Sequence, residues 1–336
     1  MRSRTATDLI SAVGGVLSGT RAGRLLILVY HRVRADPDPM YPDEVDARRF
    51  DAQMALLSRH CRPFALPEGV RRLLDRSLPP RAVAVTFDDG YADNATVALP
   101  ILQQRGIPAT FFVAPGFLDG GRMWNDTIIE TVRRAPESTI DLSDFGMGVV
   151  SLGDVAGRGA IAEAIIGSVK HLPPEVRLAH VESLCNRMVV DLPDDLMMTS
   201  GQVSALASAG MDVGAHTMTH PILRTLSDGS ARREIESSRQ VLERITAAPV
   251  RAFAYPNGRP FVDYSTRDRA LVQQLGFDFA CSTTAAVADP DSDVYQLPRF
   301  TPWDRGNERW FMRLLATFGR THRSADLDSR LHSRGG

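Results

Sequence analysis

The chain has 336 residues, of which 43% are hydrophobic and 24% charged, and its net charge is −1. That balance belongs to a globular protein large enough for one α/β domain with an insertion, or for two domains. It argues against nucleic acid or an anionic membrane as the main partner. The scattered cysteines, Cys61, Cys185 and Cys281, form neither a disulfide framework nor a paired-cysteine metal site.

In residues 1–24, Arg2 and Arg4 precede a short apolar run, Leu9 to Leu17, broken by Gly14-Gly15. A membrane-spanning helix needs about 20 apolar residues, so no integral membrane segment is expected. Ser18-Gly19-Thr20 makes a poor leader-cleavage site. The segment therefore reads as a short helical lead-in. A cytoplasmic location follows as the expectation, with an exported or membrane-associated enzyme as the alternative.

Leu25-Leu26-Ile27-Leu28-Val29-Tyr30 is an uninterrupted apolar run and reads as a buried strand. A proline-rich loop follows it, then a helix over Phe50–His60 with apolar residues at Phe50, Met54 and Leu57. A short strand at Pro63–Leu66 and a helix over Glu68–Leu74 precede the next buried strand, Val83-Ala84-Val85-Thr86-Phe87. A helix over Val97–Arg105 ends at Gly106, and Ala109–Ala114 is another strand. Strand, helix and strand in so short a span make a βαβ unit, and hence a largely parallel sheet.

The alternation then stops. Residues 126–134, 158–170 and 173–190 read as helices, so 116–200 is taken as a helical insertion that roofs or flanks the site. Beyond it, Gln202–Ser208 is helical and Met211–Ala215 is a weak strand. Ala231–Ile245 is a charged helix, and Val250–Tyr255 is a strand. Arg267–Leu275 is a helix, Phe277–Ser282 and Tyr295–Phe300 are strands, and Trp310–Phe318 is a last helix. The whole predicts an α/β fold: a distorted (β/α) barrel of about seven strands over 25–320, with a polar tail at 321–336. An open doubly wound sheet is the structural alternative.

Chemistry-bearing residues collect just past the strands. His31 follows the first, Asp88-Asp89-Gly90 the second, His216 and His220 the Met211 strand, and Tyr255-Pro256-Asn257 the Arg251 strand. In βα barrels these strand ends share one mouth, where active sites lie. His216-Thr217-Met218-Thr219-His220 lacks the glutamate of the HExxH helix, and Pro221 disfavours helix at His220, so a turn is expected there. Two histidines and one aspartate would hold a divalent cation and leave positions open for water and substrate. Asp89 is the candidate ligand, and Asp88 the candidate base for the attacking water. Arg251 is the expected partner that keeps Asp88 ionised and oriented. The backbone N–H of Tyr91, beyond the Gly90 turn, is the candidate oxyanion donor.

Three stretches, Thr86-Phe87-Asp88-Asp89-Gly90-Tyr91, His216-Thr217-Met218-Thr219-His220 and Arg251-Ala252-Phe253-Ala254-Tyr255-Pro256, resemble the first three motifs of the polysaccharide deacetylases, carbohydrate esterase family four, in the family's order. The likeness spans about residues 25–300 apart from the insertion. It implies a distorted βα barrel that removes N-acetyl, or sometimes O-acetyl, groups from sugars with the help of a metal. It implies Asp88 as base, Asp89, His216 and His220 as ligands of zinc or a similar divalent ion, and Arg251 as the residue that orients the base. One departure stands out. The late motif whose histidine serves as general acid reads Leu297-Pro298-Arg299-Phe300 here, and no histidine lies between His220 and His322. His31 is the expected acid, because barrel closure sets the first and last strands side by side. The Tyr30-His31 pair also resembles the exopolysaccharide-type members of the family.

Trp124, Asp126 and Trp303, with Tyr255, Pro256 and Asn257, are candidate substrate contacts. The leading expectation is a deacetylase acting on an N-acetylated saccharide in exopolysaccharide biosynthesis. Another C–N hydrolase of the same fold, or a non-catalytic carbohydrate binder, remain the alternatives.

Overall fold

The computed structural model describes residues 22–136, 138–188, 190–301 and 306–318. The expected lead-in over residues 1–21, the candidate contact Trp303 and the expected polar tail at 321–336 lie outside them.

The chain opens with strand β1 (Leu25–Tyr30), helix α1 (Ala47–His60), strand β2 (Arg62–Pro63) and helix α2 (Leu66–Leu74). Strand β3 (Ala82–Phe87), helix α3 (Leu99–Arg105) and strand β4 (Ala109–Val113) complete the first βαβ unit. The helix expected from Val97 begins instead with a π-turn over Asn94–Ala98. Pro100 lacks the N–H that an α-helical bond to residue 96 requires, so the chain widens before the regular helix starts.

Between β4 and the next barrel strand come α4 (Trp124–Arg134), β5 (Thr139–Asp141), β6 (Val149–Ser151), α5 (Val155–Val169) and α6 (Pro174–Met188). The three expected helices form. The antiparallel β5–β6 pair was not expected, because strands of three residues carry almost no periodic signal. This segment has a core of its own, with Ile128 and Val132 packing on Ile140, Ile165, Val181 and Leu184.

The barrel resumes with α7 (Ser200–Ser208), β7 (Asp212–Ala215), α8 (Asp228–Thr246), β8 (Ala252–Ala254), α9 (Thr266–Gln274) and β9 (Phe279–Cys281), and the described chain ends in α10 (Asn307–Thr317). The main sheet runs β1-β3-β4-β7-β8-β9, with every neighbouring pair parallel and β2 alongside β3.

The last expected strand, Tyr295–Phe300, is not a regular one. A 3₁₀ turn covers Val294–Gln296, and Pro298 removes a ladder donor. The segment still bridges the two edges of the sheet. Leu297 N–H donates to Ala280 at 2.9 Å, Phe300 N–H donates to Ile27 at 2.7 Å, and Val29 N–H donates to Phe300 at 3.0 Å. Residues 297–300 thus close β9 against β1, and the architecture is a distorted (β/α) barrel.

Strand alternation then sorts the side chains. Leu26, Leu28, Val83, Val85, Phe111 and Phe253 belong to the layer beneath the helices. Leu25, Ile27, Ala82, Ala84, Phe112, Ala252, Ala254 and Leu297 form the second core cluster, inside the barrel, and Leu66, Val70 and Leu73 of α2 pack against it.

Candidate active site

The inward set continues two residues at a time to the carboxyl ends of the strands. From Ala82 and Ala84 it reaches Thr86 and Asp88, and from Leu297 it reaches Arg299. Asp88, Thr86, Arg299 and His216 are all buried. Asp89 falls on the wrong parity and is turned back by its backbone, whose φ is +77°. Gly90 follows at φ +94°, where a β-carbon would lie 2.9 Å from Val113 Cγ1. Only glycine fits that turn.

His216 follows β7 in a turn, as expected, with Thr217 at φ +61° and His220 at φ +52°. Glu234 of α8 holds this turn. Its carboxylate accepts from the N–H groups of Met218 (2.9 Å) and Thr219 (2.8 Å) and from the Thr219 hydroxyl (2.8 Å). His216 Nδ1 lies 2.7 Å from the Ala254 carbonyl oxygen, so Nδ1 carries the proton and Nε2 is left with its lone pair.

Asp89 Oδ1 lies 3.4 Å from His216 Nε2 and 3.3 Å from His220 Nε2. It is buried and makes no hydrogen bond. A tetrahedral centre with bonds of about 2.0–2.1 Å has ligand-to-ligand edges of about 3.3–3.4 Å. One ligand atom from each of the three residues lies within 4.8 Å of the others. An orphaned carboxylate oxygen facing two imidazole nitrogens at this spacing fits a divalent cation. The electrostatics agree. Burial opposes charge on Asp89, but the nearness of His216 and His220 outweighs it, and Asp89 stays well below the usual carboxylate range. Burial pushes His220 down to about 4, which keeps its ring neutral and able to ligate.

Asp88 has a different partner set. Arg299 Nη1 and Nη2 donate to its two oxygens at 2.7 Å each, a bidentate fork. The guanidinium also donates to the Ser282 carbonyl at 2.9 Å and to the Thr86 hydroxyl at 3.3 Å. Burial works against charge on Asp88, but the Arg299 charge overrides it and holds the carboxyl below its ordinary value.

This corrects the expectation for Arg251. That residue shares the outward parity of Phe253 and sits at the entry to β8, away from the mouth. Its side chain is 61% exposed and faces Asp278 at 3.4 Å. The stretch Leu297-Pro298-Arg299-Phe300, where the resemblance implied a histidine, carries the partner of Asp88 instead. The signal that could have found it is parity: Arg299 stands two residues beyond inward-facing Leu297.

A cavity of about 210 Å³ opens over these groups. It is lined by His31, Asp88, Asp89, His216 and His220, by Asn257 and Thr283 from other strand ends, and by Trp124, Asn125, Lys170 and Arg177 from the insertion. His31 is exposed there, and its carbonyl accepts from the Asn94 amide at 2.8 Å. Tyr91 pairs with Met197 across a ladder in which Ala92 and Gly90, not Tyr91, exchange the hydrogen bonds. Its N–H is therefore turned away from Met197.

Among the expected substrate contacts, Trp124 and Asn257 line the cavity and three others do not. Tyr255 is buried in the outer layer, stacked on Tyr264 at 3.7 Å, with its hydroxyl on the Tyr295 carbonyl. Pro256 is buried beside it. Asp126 is buried and accepts from the Tyr91 hydroxyl at 3.0 and 3.2 Å, leaving Asn125 to face the cavity. Burial, only partly offset by the Arg32 charge and the Tyr91 hydroxyl, pushes Asp126 up to about 7.

Residues 75–146 and 185–280 match the family described as polysaccharide deacetylase. A Bacillus subtilis (strain 168) protein that bears the name "Putative polysaccharide deacetylase YxkH" is 20% identical over 281 residues, covering 83% of this chain and 71% of that one. The Streptococcus pyogenes deacetylase PplD in complex with acetate superposes with a TM-score of 0.58 at 19% identity, covering 87% of this chain and 98% of that one. IcaB from Ammonifex degensii gives a TM-score of 0.58 at 21% identity, covering 88% and 97%. These two likenesses establish the shared fold.

Proposed function

We propose, from the premise that this chain belongs to the polysaccharide deacetylase family of carbon–nitrogen hydrolases, that its site removes an N-acetyl group from a saccharide with the aid of a divalent cation, zinc foremost. The observation that carries the reading is the pairing of two unlike carboxylates on one turn. Asp89 faces two histidine nitrogens, and Asp88, beside it, is clamped by a buried arginine.

Asp89, His216 and His220 would hold the cation. When bound, a divalent metal polarises the acetyl carbonyl and lowers the pKa of the attacking water to about 7. Asp88 takes the proton of that water as it adds to the carbonyl carbon. Arg299 keeps Asp88 ionised and aimed, and is a positioning residue. The N–H of Tyr91 donates to the carbonyl oxygen as negative charge develops on it. Such a donor is typically worth about 10²–10³ in rate. The carbon–nitrogen bond then breaks, and His31, at the exposed rim, protonates the departing amine. Trp124 offers a face for the sugar ring, and Asn125, whose buried side-chain oxygen has no partner, accepts from a substrate N–H or hydroxyl.

Metal analysis alongside acetate release from N-acetylglucosamine oligomers tests this. Wild type should hold a divalent cation and release acetate, and His216→Ala should lose both. Full metal occupancy with unchanged acetate release in His216→Ala would sink the metal reading. Release of formate or ammonia would point to another C–N hydrolase, and sugar binding without metal or acetate to a binding protein.

A further inference from the structure

The insertion brings two cations to the catalytic cavity, and among the described residues no carboxylate stands within ion-pair distance of either. Lys170 stands at the C-terminal end of α5 and Arg177 lies on α6, and both line the cavity that holds Asp88 and the three candidate ligands. Arg177 is only 6% exposed. Its guanidinium stacks 4.7 Å from the Trp124 ring centre and reaches the Lys170 carbonyl at 3.4 Å, while its buried Nε makes no hydrogen bond. Neither side chain has an ion-pair partner among the described residues. Burial accordingly pushes both below their ordinary values. Only longer-range charges bear on Lys170: Asp263, which already holds Arg259 with Nε 3.1 Å from its carboxylate, Arg259 itself, and Glu163, about two turns back on α5.

Burying an uncompensated guanidinium is costly, and a second unpaired cation in the same cavity compounds it. A fork donor beside a point charge suits a phosphoryl group. Arg177 and Trp124 also line a second cavity, of about 640 Å³, which Asp88 does not line and where Glu175, Glu182 and Glu234 stand alongside Arg177 and Arg122. A substituent carried by the phosphoryl group has room to leave there.

We propose that Lys170 and Arg177 form an anion subsite for a phosphoryl group carried by the acylated saccharide, so that the substrate is a phosphate-linked sugar. The proposal rests on the deacetylase reading for the sugar half and on these two residues for the anion.

Isothermal titration calorimetry on the 336-residue chain tests it without relying on turnover. Inorganic phosphate should bind wild type, and should bind His216→Ala about as well, because the subsite is separate from the cation site. Lys170→Met and Arg177→Met should each weaken it about tenfold or more, with Arg177→Lys recovering part of the loss. If Arg177→Met does not fold, Lys170→Met, whose side chain is only part-buried, decides the matter. N-acetylglucosamine 1-phosphate should bind more tightly than N-acetylglucosamine. Farnesyl phosphate and uridine diphosphate as further probes separate a lipid-linked from a nucleotide-linked source, and tighter binding of either than of inorganic phosphate supports the subsite. No phosphate binding to wild type overturns the proposal. So does binding that vanishes in His216→Ala yet persists in Lys170→Met, which would place the anion on the metal. Acetate release without phosphate binding would remove the subsite alone, and phosphate binding without acetate release from any probe would remove the deacetylase reading alone.

Discussion

Arg299 is the residue on which the chemistry of Asp88 depends. Its fork makes Asp88 a carboxylate inside a barrel whose burial would otherwise favour the protonated acid. Arg299→Lys keeps the charge but loses the paired geometry, so kcat should fall about 10–100-fold with KM little changed. Arg299→Met leaves Asp88 buried and unpaired, and should cost about 3–5 kcal/mol of stability. The sign of the pH effect follows. Asp88 lies below its unfolded value, so its contribution to stability is complete above that value and is lost as pH falls through the folded one. In any folded Arg299 variant the acidic limb of kcat/KM should move to higher pH. Arg251→Ala, at an exposed pair with Asp278, should leave kcat/KM near wild type. The contrast shows what the sequence could and could not say about single residues. Asp88, Asp89, His216 and His220 were legible because they stand on short motifs at strand ends. The partner of Asp88 was not, because a salt bridge between residues 211 apart in sequence leaves no local pattern. His31→Ala should lower kcat and spare metal content, a split measurable by steady-state kinetics with metal analysis.

At the scale of elements, the turns after the strands carry the strain. Asp89, Thr217, His220 and Asn257 are non-glycine residues at positive φ, and all four sit at the barrel mouth. Each such backbone costs on the order of 1–3 kcal/mol and persists where the surroundings over-determine it. Gly90→Ala should therefore destabilise the chain by at least about 1–2 kcal/mol and displace Asp89, read as a lowered melting temperature with lowered metal affinity. Helix α4 is tied to this turn through Asp126 and the Tyr91 hydroxyl. The folded chain keeps a proton on Asp126 up to about 7, against an ordinary value of 3.8. That contribution is full below the ordinary value and fades as pH rises through about 7. Asp126→Asn should remove this slope, so that denaturant titrations show the variant gaining on wild type as pH rises, by an amount on the order of a few kcal/mol. Long apolar strands and capped helices were readable in the sequence, and the three insertion helices came within a few residues of their ends. The β5–β6 hairpin and the π-turn before Pro100 were not. Three-residue strands lie below the reach of periodicity, and a π-turn is a local answer to a missing N–H inside an otherwise helical run.

For the whole molecule, closure and roofing decide what the site can do. The stretch at 297–300 bonds to β9 on one side and β1 on the other, so His31 and Arg299 come to flank the same mouth although they lie at opposite ends of the described chain. The open-sheet alternative fails on those hydrogen bonds. The insertion has its own core and covers the cavity with Trp124, Asn125, Lys170 and Arg177, so that in the proposed reading the barrel supplies the hydrolytic groups and the roof the contacts to substrate. Among the described residues no helix is long and apolar enough to cross a membrane. In the proposed mechanism the two adjacent carboxylates have separate tasks, Asp88 as base and Asp89 as metal ligand. Measuring metal stoichiometry together with acetate release in Asp88→Asn and Asp89→Asn tests it most directly. Asp88→Asn should keep its metal while losing at least about 100-fold in rate, and Asp89→Asn should lose metal and rate together. Equal metal loss in both variants, or an Asp88→Asn enzyme that is metal-loaded and fully active, would contradict it.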